Sequence, residues 1–288
     1  MYQNVPYNFM ALDTELAAYE SAKAVVLPIP YDLTVTHEAG TRNGPSAIIN
    51  VSRQIETYDD DLKFDPSSIG IATLPEMDQV ASGPEDMQKV IYDAAKQILN
   101  DGKYMLTLGG EHSITAALAK AHKEHHGELS VVQIDAHADL RDSYQGSKYS
   151  HACVMARVAE MTSFISIGVR SFCGCENEAK YESNIIRPRD LRKDFGIIQK
   201  SLAKLSENIY LTVDLDGLDP SIMPSVGTPE PGGLWWDEIL GILDTIVASK
   251  KIVGADVVEL SPRPGLTYAD STAARLAYKI IAKSFFKG

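Results

Sequence analysis

Three short stretches carry acids and imidazoles at spacings that could do chemistry: Glu111-His112, Asp135-Ala-His137-Ala-Asp139 and Asp214-Leu-Asp216. Each follows a strand-like apolar run, and alternating strand geometry lets positions 135, 137 and 139 converge even as the chain bends into a loop. Four Asp and two His gathered in one place would raise the carboxylate pKa values and cost stability unless cations neutralised them. One divalent ion leaves carboxylates over, whereas two ions about 3.5–4 Å apart with bridging carboxylates use the whole inventory. Imidazole and carboxylate ligands without thiolate favour Mn2+, with Zn2+, Co2+ or Fe2+ also accommodated. Water between two such ions loses a proton near neutral pH and becomes a nucleophile, so the pattern points to hydrolysis rather than redox chemistry.

The elements that must position these residues alternate along the chain. Strand-like runs fall at 23–29, 68–74, 104–110, 129–135, 164–169, 208–216 and 251–260. Helical patterns open at Gly44-Pro45, Ser82-Gly83-Pro84 and Ser113, and recur near 196–206, 235–248 and 271–286. Roughly eight strands separated by helices predict a largely parallel sheet covered on both faces. Pro28 places the first run near a strand end or a sheet edge, and Ser113 is read as a helix cap. No linker, repeat or low-complexity tract cuts the chain, so residues 1–288 are expected to form a single domain. In open α/β sheets ligands bind at the carboxyl ends of strands, where the acids and imidazoles lie.

Composition narrows the partners. Lys and Arg number 27 against 39 Asp and Glu, a formal net charge of −12, which gives no reason to bind nucleic acid or an anionic membrane. No apolar run of about 18 or more residues offers a membrane span. The first residues lack the basic-then-apolar pattern of a secretory signal. Cys153, Cys173 and Cys175 make no disulfide scaffold, so a cytoplasmic location is expected. The Cys173-Gly174-Cys175 pair lacks both the spacing and the partner pair of a metal knuckle. His122, His125 and His126 sit beside Lys123 and Glu124 and read as surface residues, and Trp235-Trp236 as packing or interface. His37 is left open between the site and ordinary loop.

The tracts GGEHSIT at 109–115, DAHAD at 135–139 and DLDGLDP at 214–220 strongly resemble the three metal-binding signatures of the ureohydrolases, the arginase and agmatinase family. PYDLTVTHEAGTRNGPSAI at 30–48 resembles its N-terminal loop and first helix, and VELSP at 258–262 its last active-site strand. The resemblance covers nearly the whole chain. It implies a three-layer α/β/α arginase-like fold with a central, mainly parallel, eight-stranded sheet, and two Mn2+ per chain. His112 and Asp139 would bind one ion, His137 and Asp216 the other, with Asp135 and Asp214 bridging. Three residues would be catalytic: Asp139 orienting the nucleophile, His151 passing a proton to the departing amine, and Glu259 pairing with the substrate guanidinium. Urea and an amine would leave. The resemblance further implies a homo-oligomer, a trimer or a hexamer.

The loop 140–151 lacks the Asn and Ser pattern of arginases and, with YSHAC and VMARV, is similar to agmatinases. The expected substrate is therefore a small cationic guanidino compound, agmatine, giving urea and putrescine. Glu176 and Asp142 are candidates for its far amine. Two departures, the late Asp270 in SPRPGLTYAD and the CGCE tract, keep N1-aminopropylagmatine, arginine, guanidinobutyrate and formimidoylglutamate as alternatives. A metal-dependent deacetylase of the same fold is the alternative from another class, and it would want one metal.

Overall fold

Eight runs rich in Val, Ile and Leu pair into one parallel sheet in the computed structural model, which describes residues 5–286. The strands are β1 (Ala24–Ile29), β2 (Ile71–Thr73), β3 (Tyr104–Gly109), β4 (Ser130–Ile134), β5 (Phe164–Ile167), β6 (Ile185–Ile186), β7 (Asn208–Asp214) and β8 (Lys251–Val258). The helices are α1 (Thr14–Ala17), α2 (Gly44–Ser52), α3 (Pro84–Asn100), α4 (Thr115–His126), α5 (Val154–Ala159), α6 (Glu176–Lys180), α7 (Pro188–Lys193), α8 (Ile197–Leu202), α9 (Trp236–Val247) and α10 (Thr267–Phe285).

Alternate strand residues enter two separate apolar cores. Val25, Leu27, Met105, Val131 and Tyr210 pack with Met87 and Ile91 of α3 and Leu118 of α4. Ala24, Val26, Leu106, Val132 and Leu211 pack with Ile48 of α2, Ile239 and Leu243 of α9, and Leu276 and Ile280 of α10. With both faces covered, each strand reads as a continuous apolar run rather than an alternation. The expected three-layer α/β/α architecture is present.

Strand order is β2-β1-β3-β8-β7-β4-β5-β6. The four exits that carry site residues therefore belong to four neighbouring strands, β3, β8, β7 and β4, although they are far apart in sequence. No helix among the described residues is long and apolar enough to cross a membrane.

Several expectations need correction. Of the two places allowed for Pro28, the sheet edge falls away, because β1 lies between β2 and β3, and the strand end holds, because Pro28 is the penultimate residue of β1. It is tolerated because β2 ends opposite Val26, and the Pro28 carbonyl takes the Met77 N–H at 3.0 Å beyond that end. Ser113 does not cap α4. It sits inside a 3-10 turn, His112–Ile114, and its hydroxyl donates to Glu111. The last helix starts at Thr267, four residues before Ser271. β6, two residues long, and the short helices α5, α6 and α7 give no periodic signal in the sequence.

Candidate metal centre

The exits of β3, β4 and β7 bring together the six residues singled out for metal. His112 Nδ1 lies 3.0 Å from Asp135 Oδ2, 3.2 Å from Asp139 Oδ2 and 3.2 Å from Asp214 Oδ2. His137 Nδ1 lies 2.9 Å from Asp216 Oδ2 and 3.6 Å from Asp135 Oδ1. Asp135 thus turns one oxygen toward each imidazole, as a ligand shared by two ions could. Asp214 turns Oδ2 toward His112, while its Oδ1 accepts the Asp216 N–H at 2.9 Å.

Backbone donors fix the outer faces of these carboxylates. Asp135 Oδ1 accepts the His137 N–H, and Asp216 Oδ1 the Ala136 N–H at 3.0 Å. Arg170, beyond β5, donates to the carbonyls of Asp216, Gly217 and Leu218 and clamps that loop. Asp139 holds a positive φ of 49° and Glu259 one of 66°, a conformation that costs a non-glycine residue about 1–3 kcal/mol and often marks a functional site. Gly110 has a different reason to be glycine: a Cβ there would overlap the Tyr31 backbone.

Charge is concentrated as the sequence implied. Burial, then the Asp216 charge, raises Asp214 well above the carboxylate range; burial, then Asp135, raises Asp139 and Asp216. Burial opposes the charged form of His137, yet Asp216 and Asp135 push it up to about 12. His112 Nδ1 is buried and makes no hydrogen bond, although three carboxylate oxygens surround it. Lone pairs converging on a small gap, in a nitrogen and oxygen donor set without sulfur, fit a pair of divalent cations.

A cavity of about 180 Å³ opens over this cluster, with His137, Asp139, Asp214, Asp216 and Glu259 among its lining residues. Glu259 Oε1 accepts the His112 N–H at 2.8 Å, which anchors the carboxylate against the cluster. His151 lies on the wall, its Nδ1 3.3 Å from Thr34 Oγ1 and its Nε2 3.1 Å from Thr36 Oγ1. Thr34 is itself held by Glu111, which accepts both its N–H and its hydroxyl. Burial, then the neighbouring His112, lowers His151 to about 4, so the resting ring is neutral.

The sequence pattern of the arginase family matches residues 22–286. The chain belongs to the arginase family. An N(1)-aminopropylagmatine ureohydrolase of Thermus thermophilus is 38% identical over 268 residues, covering 92% of this chain and 91% of the relative. An agmatinase of Pyrococcus horikoshii is 33% identical over 287 residues, covering 96% and 98%. The crystal structure of agmatine ureohydrolase of Thermoplasma volcanium superposes with a TM-score of 0.86 at 31% identity, covering 97% of this chain and 94% of that one.

Other residues of this arginase-family chain fall differently from expectation. Glu176 is exposed and absent from the cavity lining, and Asp142 is 66% exposed and paired with Arg157. The acid on the cavity wall is Glu178, buried, with its oxygens accepting the Cys173 and Gly174 N–H groups at 2.9 and 2.7 Å. Nothing in the spacing set Glu178 apart from Glu176; only the turn at Gly174 does. The cysteine pair does have a third potential ligand, since Cys173, Cys175 and Glu178 come together. His37 lines the cavity from an exposed position. His122 is fully buried against Tyr210, contrary to the surface reading, whereas His125 is exposed. Trp236 packs on the core and Trp235 is about half exposed.

Proposed function

We propose that this chain is a two-metal ureohydrolase that splits the guanidinium group of an amine-terminated substrate into urea and a free amine. The observation that carries this reading is the sharing of Asp135 between two His/Asp groups beneath a cavity that also presents Glu259 and His151. His112, Asp135, Asp139 and Asp214 would hold one ion, and His137, Asp135, Asp214 and Asp216 the other. Mn2+ is the ion their donor atoms favour. Two such ions supply a water acidic enough to act as nucleophile at neutral pH.

The protein groups do the rest. Glu259, fixed through Oε1, accepts N–H groups of the planar guanidinium and sets its carbon over the cluster. Asp139 accepts a hydrogen bond from the attacking water and aims its lone pair at that carbon. The tetrahedral carbon collapses only if the departing amine gains a proton. The attacking water gives up that proton, and His151, neutral at rest, takes it up on one ring nitrogen and passes it to the departing amine.

Glu178, rather than Glu176 or Asp142, faces the cationic far end. An acidic wall favours an amine there over the carboxylate of arginine. Within amine-terminated guanidines we place N1-aminopropylagmatine first, because the Thermus relative, more similar than the Pyrococcus one, carries that activity in its name. Agmatine is the second reading, supported by the names of the Pyrococcus and Thermoplasma proteins. Metal analysis after Mn2+ reconstitution tests the centre: two ions per chain are expected, and His137→Ala should lose one ion and nearly all turnover. No more than one tightly held ion in the wild type would overturn the reading and favour the deacetylase class.

A further inference from the structure

Five neighbouring strands each carry one polar side chain at the same height, two or three residues before the cluster's loops begin. Thr107 of β3 pairs with Asp256 of β8, Asp256 with Thr212 of β7, Thr212 with Gln133 of β4, and Gln133 with Ser166 of β5. All five are fully buried, and their strand neighbours are apolar. Such a row is costly unless its members hydrogen-bond one another.

Two chains of bonds run through it. Asp256 accepts the Thr212 hydroxyl at 2.6 Å, the Tyr210 hydroxyl at 2.7 Å and the Thr115 hydroxyl at 2.9 Å. The one Thr212 proton is thereby committed to Asp256, so its oxygen is left to accept from His112 Nε2 at 2.8 Å. A neutral ring with its proton on Nε2 keeps Nδ1 bare, and Nδ1 is the nitrogen facing Asp135, Asp139 and Asp214. In the second chain Ser166 donates to Gln133 Oε1, which turns the amide so that Nε2 donates to Asp135 Oδ2 at 2.7 Å. Thr107 joins neither chain, since its hydroxyl has no partner.

We propose that this buried polar rung is the positioning layer of the metal centre: Asp256, through Thr212, sets which nitrogen of His112 is free, and Ser166, through Gln133, sets the rotation of Asp135. None of these four residues lines the cavity, so each acts through a ligand rather than on substrate. The inference rests on the two-metal reading.

The test is Co2+ titration of the metal-depleted protein, read by visible absorption of the bound ion and by equilibrium dialysis, with no substrate present. Thr212→Val is expected to weaken one of two ions by about 10–100-fold, the usual effect of losing an outer hydrogen-bond partner. Thr212→Ser should restore it. Thr107→Val, the same change on the same rung, should leave both ions at wild-type affinity. Gln133→Leu should weaken both, because Asp135 is shared, and it carries the test if Thr212→Val does not fold. Wild-type affinities in Thr212→Val and Gln133→Leu, or a Thr212→Ser as weak as Thr212→Val, would overturn the rung while leaving the two-metal reading intact. A wild type that binds at most one ion would instead remove the reading and the rung together.

Discussion

His151 is held from both ring nitrogens by threonines of the loop after β1, and Tyr144 meets its ring edge-on at 6.1 Å between centroids. On the proposed reading, a residue so placed moves a proton but holds no ion. His151→Asn is expected to lower kcat by about 10²–10⁴, the usual share of a general acid, with both metals retained. Loss of metal with loss of turnover would make its role structural. Glu178 is proposed to act at the other end of the substrate. Glu178→Gln should raise KM for amine-terminated guanidines and change kcat little, because the interaction is made equally in the ground and transition states. Equal falls in kcat and kcat/KM would place Glu178 in the chemistry instead. The ligands were legible in the sequence because acids gathered at the ends of apolar strands are costly unless cations neutralise them. Glu178 was not, since its value depends on a turn that folds it onto the cavity. Thr212, Gln133 and Asp256 lie singly in three separate apolar runs, and only the strand register sets them in one row.

Charged neighbours in the sequence mask the buried stripe of α4. Thr115, Leu118, Ala119 and His122 lie at spacings of three and four and continue one buried stripe, but Lys123, Glu124 and two further histidines around His122 hid it. His122 packs on Tyr210 with a ring centroid distance of 4.6 Å, and its Nδ1 donates to the Leu118 carbonyl at 2.8 Å. It also accounts for Gly254 of β8, where a Cβ would overlap the imidazole. Burial lowers His122 to about 3, below its ordinary 6.5. The unfolded chain therefore takes a proton as pH falls through 6.5 that the folded chain refuses until about pH 3, and stability is lost across that window. Above pH 6.5 the term vanishes. His122→Met lacks it, so its stability relative to wild type should improve by about 2 kcal/mol between pH 7 and pH 5, read from urea midpoints. A difference independent of pH would mean that the ring is not buried in the folded state. The long strands were legible as apolar runs, and α3, α9 and α10 as helical patterns between them. The short elements β6, α5, α6 and α7 were not, because two to six residues are too few to show a period.

Across the whole molecule, strand order does what sequence order cannot. β8, the last strand, inserts between β3 and β7, so Glu259 meets His112 across 147 residues of chain. Asp135 belongs to both His/Asp groups and joins them into one cluster. The formal charge of −12 has a local counterpart: four of the acids face one another beneath a cavity with Glu178 and Glu259 on its walls. With cations neutralising those four, Glu178 and Glu259 would be left to favour a cation over a free carboxylate. Release of urea from a guanidine with a cationic far end is what the proposed reading requires of the Mn2+-reconstituted protein. With N1-aminopropylagmatine, agmatine, arginine and guanidinobutyrate as substrates, kcat/KM should be highest for the two amine-terminated compounds, N1-aminopropylagmatine first. A higher kcat/KM for arginine or guanidinobutyrate, or no urea from any of the four, would contradict it.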